Sequence, residues 1–384
     1  MTTDDRPRPA AGRAPERLVP PATKPHTSVF RVLDAWYILE ASEELGTTPR
    51  ARTLLGMPLV LFRTRSGRPA AMLDRCAHRN VPLSLGKVVG EHVQCPYHGW
   101  EFDHEGRCRN IPGLVDTSRD QPDSADARAR RVMALPVAES DGWVWVWGNP
   151  DSMPTAPPFA FPRLDPRRYT SARREVQAPG TLHATLENAL DVPHTAFLHG
   201  GLFRTQKVRN RIRATVRRYA AHATVEYVGE PRPSGLVGRV LSPSGGVVEH
   251  WDRFFLPSVA QVEYRIGDEN HFIVTSACTP VSDFETRLFA LVQFRTRFPG
   301  PLVKLVLDPI ARRIFGQDQS MLGHQTELIQ RFGGEQFEST ELDLIGPHIY
   351  RLLKDAADGR VGETHDTPAP GLGPIYEKTI ELMA

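Results

Sequence analysis

The stretch "DRCAHRNVPLSLGKVVGEHVQCPYHGWEF", residues 74–102, contains two of the chain's four cysteines, and a histidine follows each closely. The pairs are Cys76-x-His78 and Cys95-x-x-His98, a spacing not expected by chance in a chain with 4 cysteines and 14 histidines. Two thiolates and two imidazoles on facing loops can bind zinc tetrahedrally. They can also hold a [2Fe–2S] cluster, with the cysteines on one iron and the histidines on the other. The spacing alone predicts a metal site and leaves both metals open.

The residues around these pairs favour iron and sulfide. "CAHR" followed by "CPYHGW" closely resembles the Rieske signature, in its oxygenase form rather than its respiratory form. Val81 and Tyr97 stand where the respiratory form carries two further cysteines that make a disulfide. The "IPG" of residues 111–113 resembles the proline loop that covers the cluster. The resemblance implies a [2Fe–2S] cluster held by Cys76, His78, Cys95 and His98.

The bulk composition is that of an ordinary globular protein, 40% hydrophobic and 24% charged. A net charge of +2 favours neither nucleic acid nor an acidic surface as partner. No apolar run approaches the roughly 18 residues of a membrane span, and the N-terminus lacks the apolar core of a secretory signal. Four cysteines are too few for a disulfide scaffold, so we expect a cytoplasmic protein in which Cys108 and Cys278 are plain thiols.

Composition along the chain predicts four segments. Residues 1–25 are rich in Pro, Arg and Ala and are expected to be a disordered tail. In residues 26–150 short apolar runs alternate with Gly, Pro and Asp turns, which indicates a small β domain. Proline is dense in residues 151–166, which is typical of a linker. Residues 167–384 contain strand-like runs and then a long helical run, so the overall class is α+β.

A second group of potential ligands lies in "LENALDVPHTAFLHGG", residues 186–201. His194 and His199, with one carboxylate, could form the facial triad that binds non-haem Fe(II) and leaves three coordination positions open. Taken alone, two histidines at this spacing are a weak signal. The run E-N-x-x-D-x-x-H-x-x-x-x-H, however, resembles the mononuclear iron motif of Rieske oxygenase α-subunits, and it lies downstream of a Rieske motif.

In that family the third ligand is a distant aspartate on a C-terminal helix, usually after Glu or Gln. "FGQDQ" supplies Asp318 after Gln317, which we place at the start of a helical run. Asp318 could instead be a carboxylate at a helix N-terminus, where the helix dipole favours a negative charge. Asp308 is the second candidate, although the proline after it makes it look like a helix breaker or cap.

Two further polar residues belong to the same motif. Asp191 lies three residues before His194 and could accept the N–H of its imidazole and fix its tautomer. The resemblance implies that Asp191 also reaches His98 of a neighbouring subunit, so that electrons cross between chains of a homotrimer. Asn188 matches the family's polar residue beside the iron, which is usually not a tight ligand.

The resemblance implies a Rieske domain followed by a helix-grip, START-like antiparallel sheet with long C-terminal helices. It also implies one [2Fe–2S] cluster and one Fe(II) per chain, O2 as co-substrate, and a separate reductase or ferredoxin that draws on NAD(P)H. The expected reaction is hydroxylation, demethylation or desaturation of a small apolar or aromatic molecule, most simply as a monooxygenase. His250, Trp251 and Phe203 could contact that substrate or could be ordinary core.

Three alternatives stay open at this stage. A ring cis-dihydroxylating dioxygenase would share both motifs. A pure Rieske electron-transfer protein would give His194 and His199 no use. A zinc-stabilised module that only holds an apolar ligand would be colourless and would leave the second motif without a use.

Overall fold

The computed structural model describes residues 26–114, 128–200, 211–230, 247–267, 270–360 and 373–383. The predicted disordered tail and Phe203 lie outside these residues. The chain divides into two compact units. The first unit is Leu39–Met153 in the described part of the chain, and the second comprises the described residues before Leu39 and those from Pro154 onward.

The first unit consists of short strands in three small sheets, as the frequent turn residues predict, and the first strand begins three residues before the unit's boundary. Their orders are β1-β11-β10, β2-β3-β4-β9 and β5-β6-β7-β8. The strands are β1 Trp36–Ala41, β2 Arg50–Leu54, β3 Met57–Arg63, β4 Pro69–Leu73, β5 Lys87–Val89, β6 His92–Gln94, β7 Glu101–Phe102, β8 Cys108–Asn110, β9 Ala134–Leu135, β10 Val137–Ser140 and β11 Trp143–Trp147. A 3-10 helix spans Leu83–Leu85.

The second unit is built on one eight-stranded antiparallel sheet in the order β12-β18-β17-β16-β15-β14-β13-β19. The strands are β12 Thr170–Ala178, β13 Arg211–Arg218, β14 His222–Val228, β15 Val248–Phe255, β16 Val259–Ile266, β17 Asn270–Ser282, β18 Glu285–Arg295 and β19 Tyr376–Met383. The helices are α1 Leu182–Leu190, α2 Gly300–Phe332 and α3 Gly346–Ala357, with a 3-10 turn at Pro193–Ala196. The predicted α+β class, an antiparallel sheet with long C-terminal helices, is confirmed.

Helices α1 and α2 lie on one face of this sheet, which we call the helix face. Arg174 on β12 pairs with Asp308 on α2 at 2.5 Å. Thr286 on β18 donates its hydroxyl hydrogen to the carbonyl of Gly180, just before α1, at 3.0 Å. Both side chains occupy the same side of the sheet by register, because Arg174 opposes Ala290, which is four residues from Thr286 on β18. The sheet therefore carries α1 and α2 on a common surface.

Helix α2 corrects two expectations. It continues without a break through Pro309, so Asp308 neither ends a helix nor caps one, and its partner is Arg174 on the sheet. Asp318 lies deep inside α2 rather than at its start, so the dipole of a helix N-terminus cannot explain this carboxylate. No helix among the described residues has the length and apolarity to cross a membrane.

The proline-rich segment makes a few specific contacts, although most of its residues are exposed or half-buried. The Trp36 indole donates its N–H to the carbonyl of Ala156 at 2.7 Å. Phe161 is 3% exposed and stands edge-on to Phe159, which contacts Phe255 on β15. Phe255 points away from the helix face, because its neighbour Phe254 lies on that face and successive side chains of a strand point to opposite faces. This segment thus covers part of the opposite surface of the sheet.

Candidate metal centres

The first centre sits on two tight loops of the first unit. Cys76 and His78 follow β4, where the backbone N–H of Cys76 bonds to the carbonyl of Val81 at 2.9 Å. Cys95 and His98 lie between β6 and β7, where the N–H of Cys95 bonds to the carbonyl of Trp100 at 2.8 Å. Because a backbone hydrogen bond closes each loop, the cysteine and the histidine of that loop are held close together.

The two loops bring the four predicted ligands together. Cys76 and Cys95 are 1% and 3% exposed, and the rings of His78 and His98 lie 4.7 Å apart between centroids. Burial, together with the neighbouring Cys95 thiol, raises the pKa of the Cys76 thiol to about 11. His78 Nδ1 is buried and meets no hydrogen-bond partner in the described part of the chain. Two thiols and two imidazoles with an orphaned nitrogen fit a [2Fe–2S] cluster.

Aromatic rings and a proline surround this donor set. The Trp100 indole stacks on His78 at 4.7 Å with an interplanar angle of 2°. Gly99 has φ +72, and a Cβ there would come within 2.9 Å of Pro112 Cγ. The "IPG" loop therefore packs directly against the loop of Cys95 and His98, which requires glycine at position 99. Tyr97, in place of a cysteine, is 63% exposed and its ring lies 3.9 Å from that of His98.

The second centre lies in the second unit, where α1 ends and α2 passes. Thr181 caps α1 by accepting the N–H of Ala184 at 3.1 Å. The helix ends at Leu190 because Pro193 cannot continue its hydrogen bonds, and the chain turns through a 3-10 segment that carries His194. His199 follows, and α2 supplies Asp318 from its middle turns.

The ligand atoms of His194, His199 and Asp318 all lie within 4.8 Å of one another. His199 Nε2 is 3.1 Å from Asp318 Oδ1, and the two Nε2 atoms are 3.3 Å apart. His194 Nε2 is 3.6 Å from the same oxygen. Ligands about 2.1 Å from one ion are about 3.0 to 3.4 Å apart for angles between 90° and tetrahedral. The three residues therefore fit a single metal ion bound on one face.

The remaining atoms of this triad also fit a metal. Asp318 Oδ1 is buried and receives no hydrogen bond of acceptable geometry from the described residues, so an ion would be its natural partner. Burial opposes protonation of His199, but the Asp318 carboxylate and the Gln317 side chain outweigh it and raise the pKa of His199. In the metal-free triad a proton can take the ion's place, so metal affinity should fall as the pH is lowered.

Each imidazole is oriented by a partner on its other nitrogen. Asp191 Oδ2 lies 3.2 Å from His194 Nδ1 and 3.3 Å from the His194 backbone N. Gln317 Oε1 lies 3.0 Å from His199 Nδ1. These contacts place the N–H on Nδ1 and turn both Nε2 lone pairs toward Asp318. In the sequence, Gln317 served only to mark Asp318 as the third ligand. Its position directly before Asp318 in "GQD" is the feature that could have predicted its contact with His199.

Behind Asp191 lies a cavity of about 1010 Å3 that does not include the triad itself. Asn188 lines it, and the described residues show no hydrogen bond between Asn188 and the three ligands. The acids around it are Glu187, Asp191, Glu335, Glu338 and Asp343. Glu187 fills the space that a side chain at Gly346 would take, since a Cβ there would come within 2.0 Å of Glu187 Oε1.

Glu187 yields a prediction about stability and pH. Burial, with the charges of Asp191 and Asp343, raises its pKa to about 7. Because the folded-state pKa exceeds the ordinary glutamate pKa of 4.5, the folded chain holds this proton more tightly and loses stability as pH rises from 4.5 to about 7. Glu187→Gln should thus be more stable than wild type at pH 8 by on the order of 1 to 2 kcal/mol, and no more stable at pH 4.

Urea unfolding at both pH values measures this difference. Glu338→Gln is the matched control, because Glu338 is an exposed acid at the same cavity. A gain of equal size at pH 4 and pH 8, or the same pH dependence in the Glu338 variant, would contradict the assignment.

Two protein-family models match the chain. The Rieske [2Fe-2S] domain matches residues 35–121, and the vanillate O-demethylase oxygenase C-terminal domain matches residues 180–358. The first match contains Cys76, His78, Cys95 and His98, and the second contains His194, His199 and Asp318. Each candidate centre therefore lies inside one of the matched domains.

Several characterised proteins are similar in sequence. The oxygenase component of chloroacetanilide N-alkylformylase from Rhizorhabdus wittichii is 29% identical over 335 residues, which is 82% of this chain and 90% of that protein. The oxygenase component of dicamba O-demethylase from Stenotrophomonas maltophilia is 32% identical over 58% of this chain and 63% of its own length. Chlorophyllide a oxygenase from Chlamydomonas reinhardtii is 41% identical, but over only 44% of this chain and 24% of its own length.

Among solved structures, dicamba monooxygenase bound to 3,6-dichlorosalicylic acid has a TM-score of 0.72 and 24% sequence identity. The superposition covers 87% of this chain and 100% of that one, so the two share their fold.

Fold and sites together define a two-centre redox protein, in which a [2Fe–2S] domain precedes a sheet-and-helix domain with a mononuclear iron triad. The chain belongs to the Rieske non-haem iron oxygenases, as an oxygenase component of the vanillate O-demethylase type.

Proposed function

We propose that this protein is the oxygenase component of a multicomponent monooxygenase that hydroxylates, demethylates or desaturates a small apolar or aromatic molecule. The observation that carries the proposal is the triangle of His194 Nε2, His199 Nε2 and Asp318 Oδ1, in a chain that also carries a complete Rieske donor set. Cys76, His78, Cys95 and His98 would hold the cluster, and the triad would hold Fe(II).

When bound, the two metal centres would supply one-electron transfer and O2 activation. The chain supplies the geometry. Asp191 and Gln317 fix the tautomers of the two imidazoles, and three protein ligands leave coordination positions open for O2. The sequence has no G-x-G-x-x-G motif after a strand, so electrons from NAD(P)H would arrive through a separate reductase or ferredoxin.

The proposal extends to assembly and location. Asp191 is 32% exposed at the side chain and lines the open cavity, which leaves it accessible to a neighbouring chain. We place it next to His98 of the adjacent subunit in a homotrimer. None of the four cysteines forms a disulfide in the described part of the chain, which suits the reducing cytoplasm.

Metal analysis of the purified protein tests the proposed function. We expect about three irons and two acid-labile sulfides per chain, with a Rieske-type EPR signal after dithionite reduction. Iron and sulfide in equal amounts would instead indicate a pure electron carrier. A colourless protein that contains zinc would indicate a binding module. A dioxygenase would show the same metals, and product analysis with labelled O2 would separate it from a monooxygenase.

A further inference from the structure

The register of the central strands places two rows of side chains on the helix face. Asp252 opposes Val262, Val262 opposes Val274, and Val274 opposes Val292. In the next row, His250 opposes Tyr264 and Tyr264 opposes Phe272. Since residues two apart on a strand share a face, both rows lie on the same side of the sheet as Ala290 and Arg174. Helix α1, which leads to His194, packs against β15, β16 and β17.

Part of this face is open. In the third row, Phe254, Ala260, Ser276 and Ala290 are 0 to 6% exposed, as expected under helices. By contrast, the middle of the other two rows is only half-buried, although the same face carries α1 and α2. We call this half-buried apolar area the floor, and its residues are Val262, Tyr264, Phe272, Val274 and Val292. With strands about 4.8 Å apart, the floor can take one or two flat rings.

The floor ends at a buried polar cluster. His250 lies at the end of one row and Asp252 at the end of the other, both 1% exposed. Glu230 Oε2 is 2.9 Å from His250 Nδ1, and Asp252 Oδ1 is 3.0 Å from His250 Nε2. The imidazole stacks between Tyr227 and Tyr264, at centroid distances of 4.5 and 3.9 Å. The ring of His250 is therefore fixed in place. Its surroundings are aromatic on the two ring faces and acidic at the two nitrogens, so it is not an ordinary core residue.

The charges of this cluster select a ligand. With both carboxylates ionised, the net charge is −1 if the imidazole is protonated and −2 if it is not. Asp252 Oδ2 is buried and has no hydrogen-bond partner in the described part of the chain. A buried carboxylate oxygen without a donor is costly, and an N–H or O–H group would satisfy it. A ligand carboxylate would instead add a third negative charge where little water screens it.

We propose that Glu230, His250 and Asp252 form the polar end of the substrate pocket and select a flat apolar substrate that carries a hydrogen-bond donor, an amine above all. The inference rests on the proposed function, because it assigns the floor to the substrate of the iron triad. It predicts that acids of the same shape are rejected.

Equilibrium dialysis of the metal-loaded protein at pH 7 tests this selectivity with three probes of one shape. They are 2-naphthylmethylamine, 2-naphthalenemethanol and 2-naphthoate. We expect the amine to bind at least about ten-fold more tightly than the acid, with the alcohol between them. Naphthoate bound as tightly as the amine by wild type would overturn the proposal without any variant.

Two substitutions locate the selectivity. Asp252→Asn keeps the shape and removes one charge, so the amine-to-acid preference should fall about ten-fold. The matched control is Glu263→Gln, since Glu263 is 5% exposed, contacts His271 at 2.9 Å, and lies on the opposite face of the same sheet. The control should leave the preference unchanged. An equal loss in both variants would show a general charge effect and refute the assignment.

A third variant keeps the test valid if Asp252→Asn does not fold. Val274→Trp fills the floor and should weaken all three probes by a similar factor, whereas unchanged binding would place the pocket elsewhere. Iron and sulfide content of the same samples reports on the proposed function separately. If the protein contained both metals but showed no preference for the amine, the proposed function would stand and only the proposed selectivity would be wrong.

Discussion

His199→Ala should give a protein that keeps its visible Rieske spectrum and its sulfide but contains a single iron less per chain. The side chain is 2% exposed, and its Nε2 lies within 3.3 Å of both other ligand atoms. Without it, His194 and Asp318 offer only two protein ligands, too few for a stable mononuclear site. Substrate turnover should fall by more than about 100-fold, because losing only a hydrogen-bond partner of a ligand already costs about 10- to 100-fold.

Iron and sulfide analysis together with EPR of the reduced protein measures this outcome. His324→Ala is a suitable control, because His324 lies on the same helix and lines the acidic cavity rather than the triad. If the His199 variant kept its full iron and its activity, the second centre would not be a metal site. If it lost the Rieske signal too, the variant would report misfolding, and the control would show whether any histidine loss on this side has that effect.

The two centres differ in how far the sequence alone predicts them. The Rieske loops are local: all four ligands lie within residues 74–102, and each loop closes by hydrogen bonds between near neighbours. Spacing and residue type are therefore enough to place them. The iron triad joins His194 and His199 to a residue more than a hundred positions later, and only tertiary packing of α2 on the sheet brings Asp318 to them.

The interpretation of Asp308 as a helix breaker or cap is wrong for a physical reason. Proline usually ends a helix or bends it, and Pro309 follows Asp308 directly. In the structure α2 continues through Pro309, where Asp308 is tied to Arg174 on β12. Local propensity is outweighed by the packing of α2 against β12, which no local pattern reveals.

Burial is predictable for some strands and not for others. The apolar run "WVWVW" indicates a packed strand, and all five residues of β11 are buried. In β16 and β17, by contrast, apolar residues such as Val262 and Val274 face the helices and remain half-buried. Alternation gives the face on which a side chain lies, whereas the space above that face depends on the packing of distant helices.

Asp191→Asn should leave both metal centres loaded and reduce substrate turnover by about 10- to 100-fold or more. The wild-type carboxylate accepts from both the backbone N and Nδ1 of His194, at 3.3 and 3.2 Å. An asparagine oxygen can accept the same contacts but carries no charge, so it stabilises the imidazole less and gives a partner's His98 a weaker acceptor. Iron content, the EPR signal of the reduced cluster and product formation under O2 measure the three parts of this expectation.

Mixed assemblies separate the local role of Asp191 from its proposed role between subunits. Chains with Asp191→Asn retain a cluster, and chains with His98→Ala retain an intact Asp191 and triad. If electrons pass between subunits, a protein reassembled from both variants should regain activity that neither has alone, because the cluster of one chain serves the triad of the next. If each chain serves only itself, the mixture stays inactive. A mixture without activity, in a protein that gel filtration shows to be trimeric, would refute the route between subunits and leave Asp191 as a partner of His194 only.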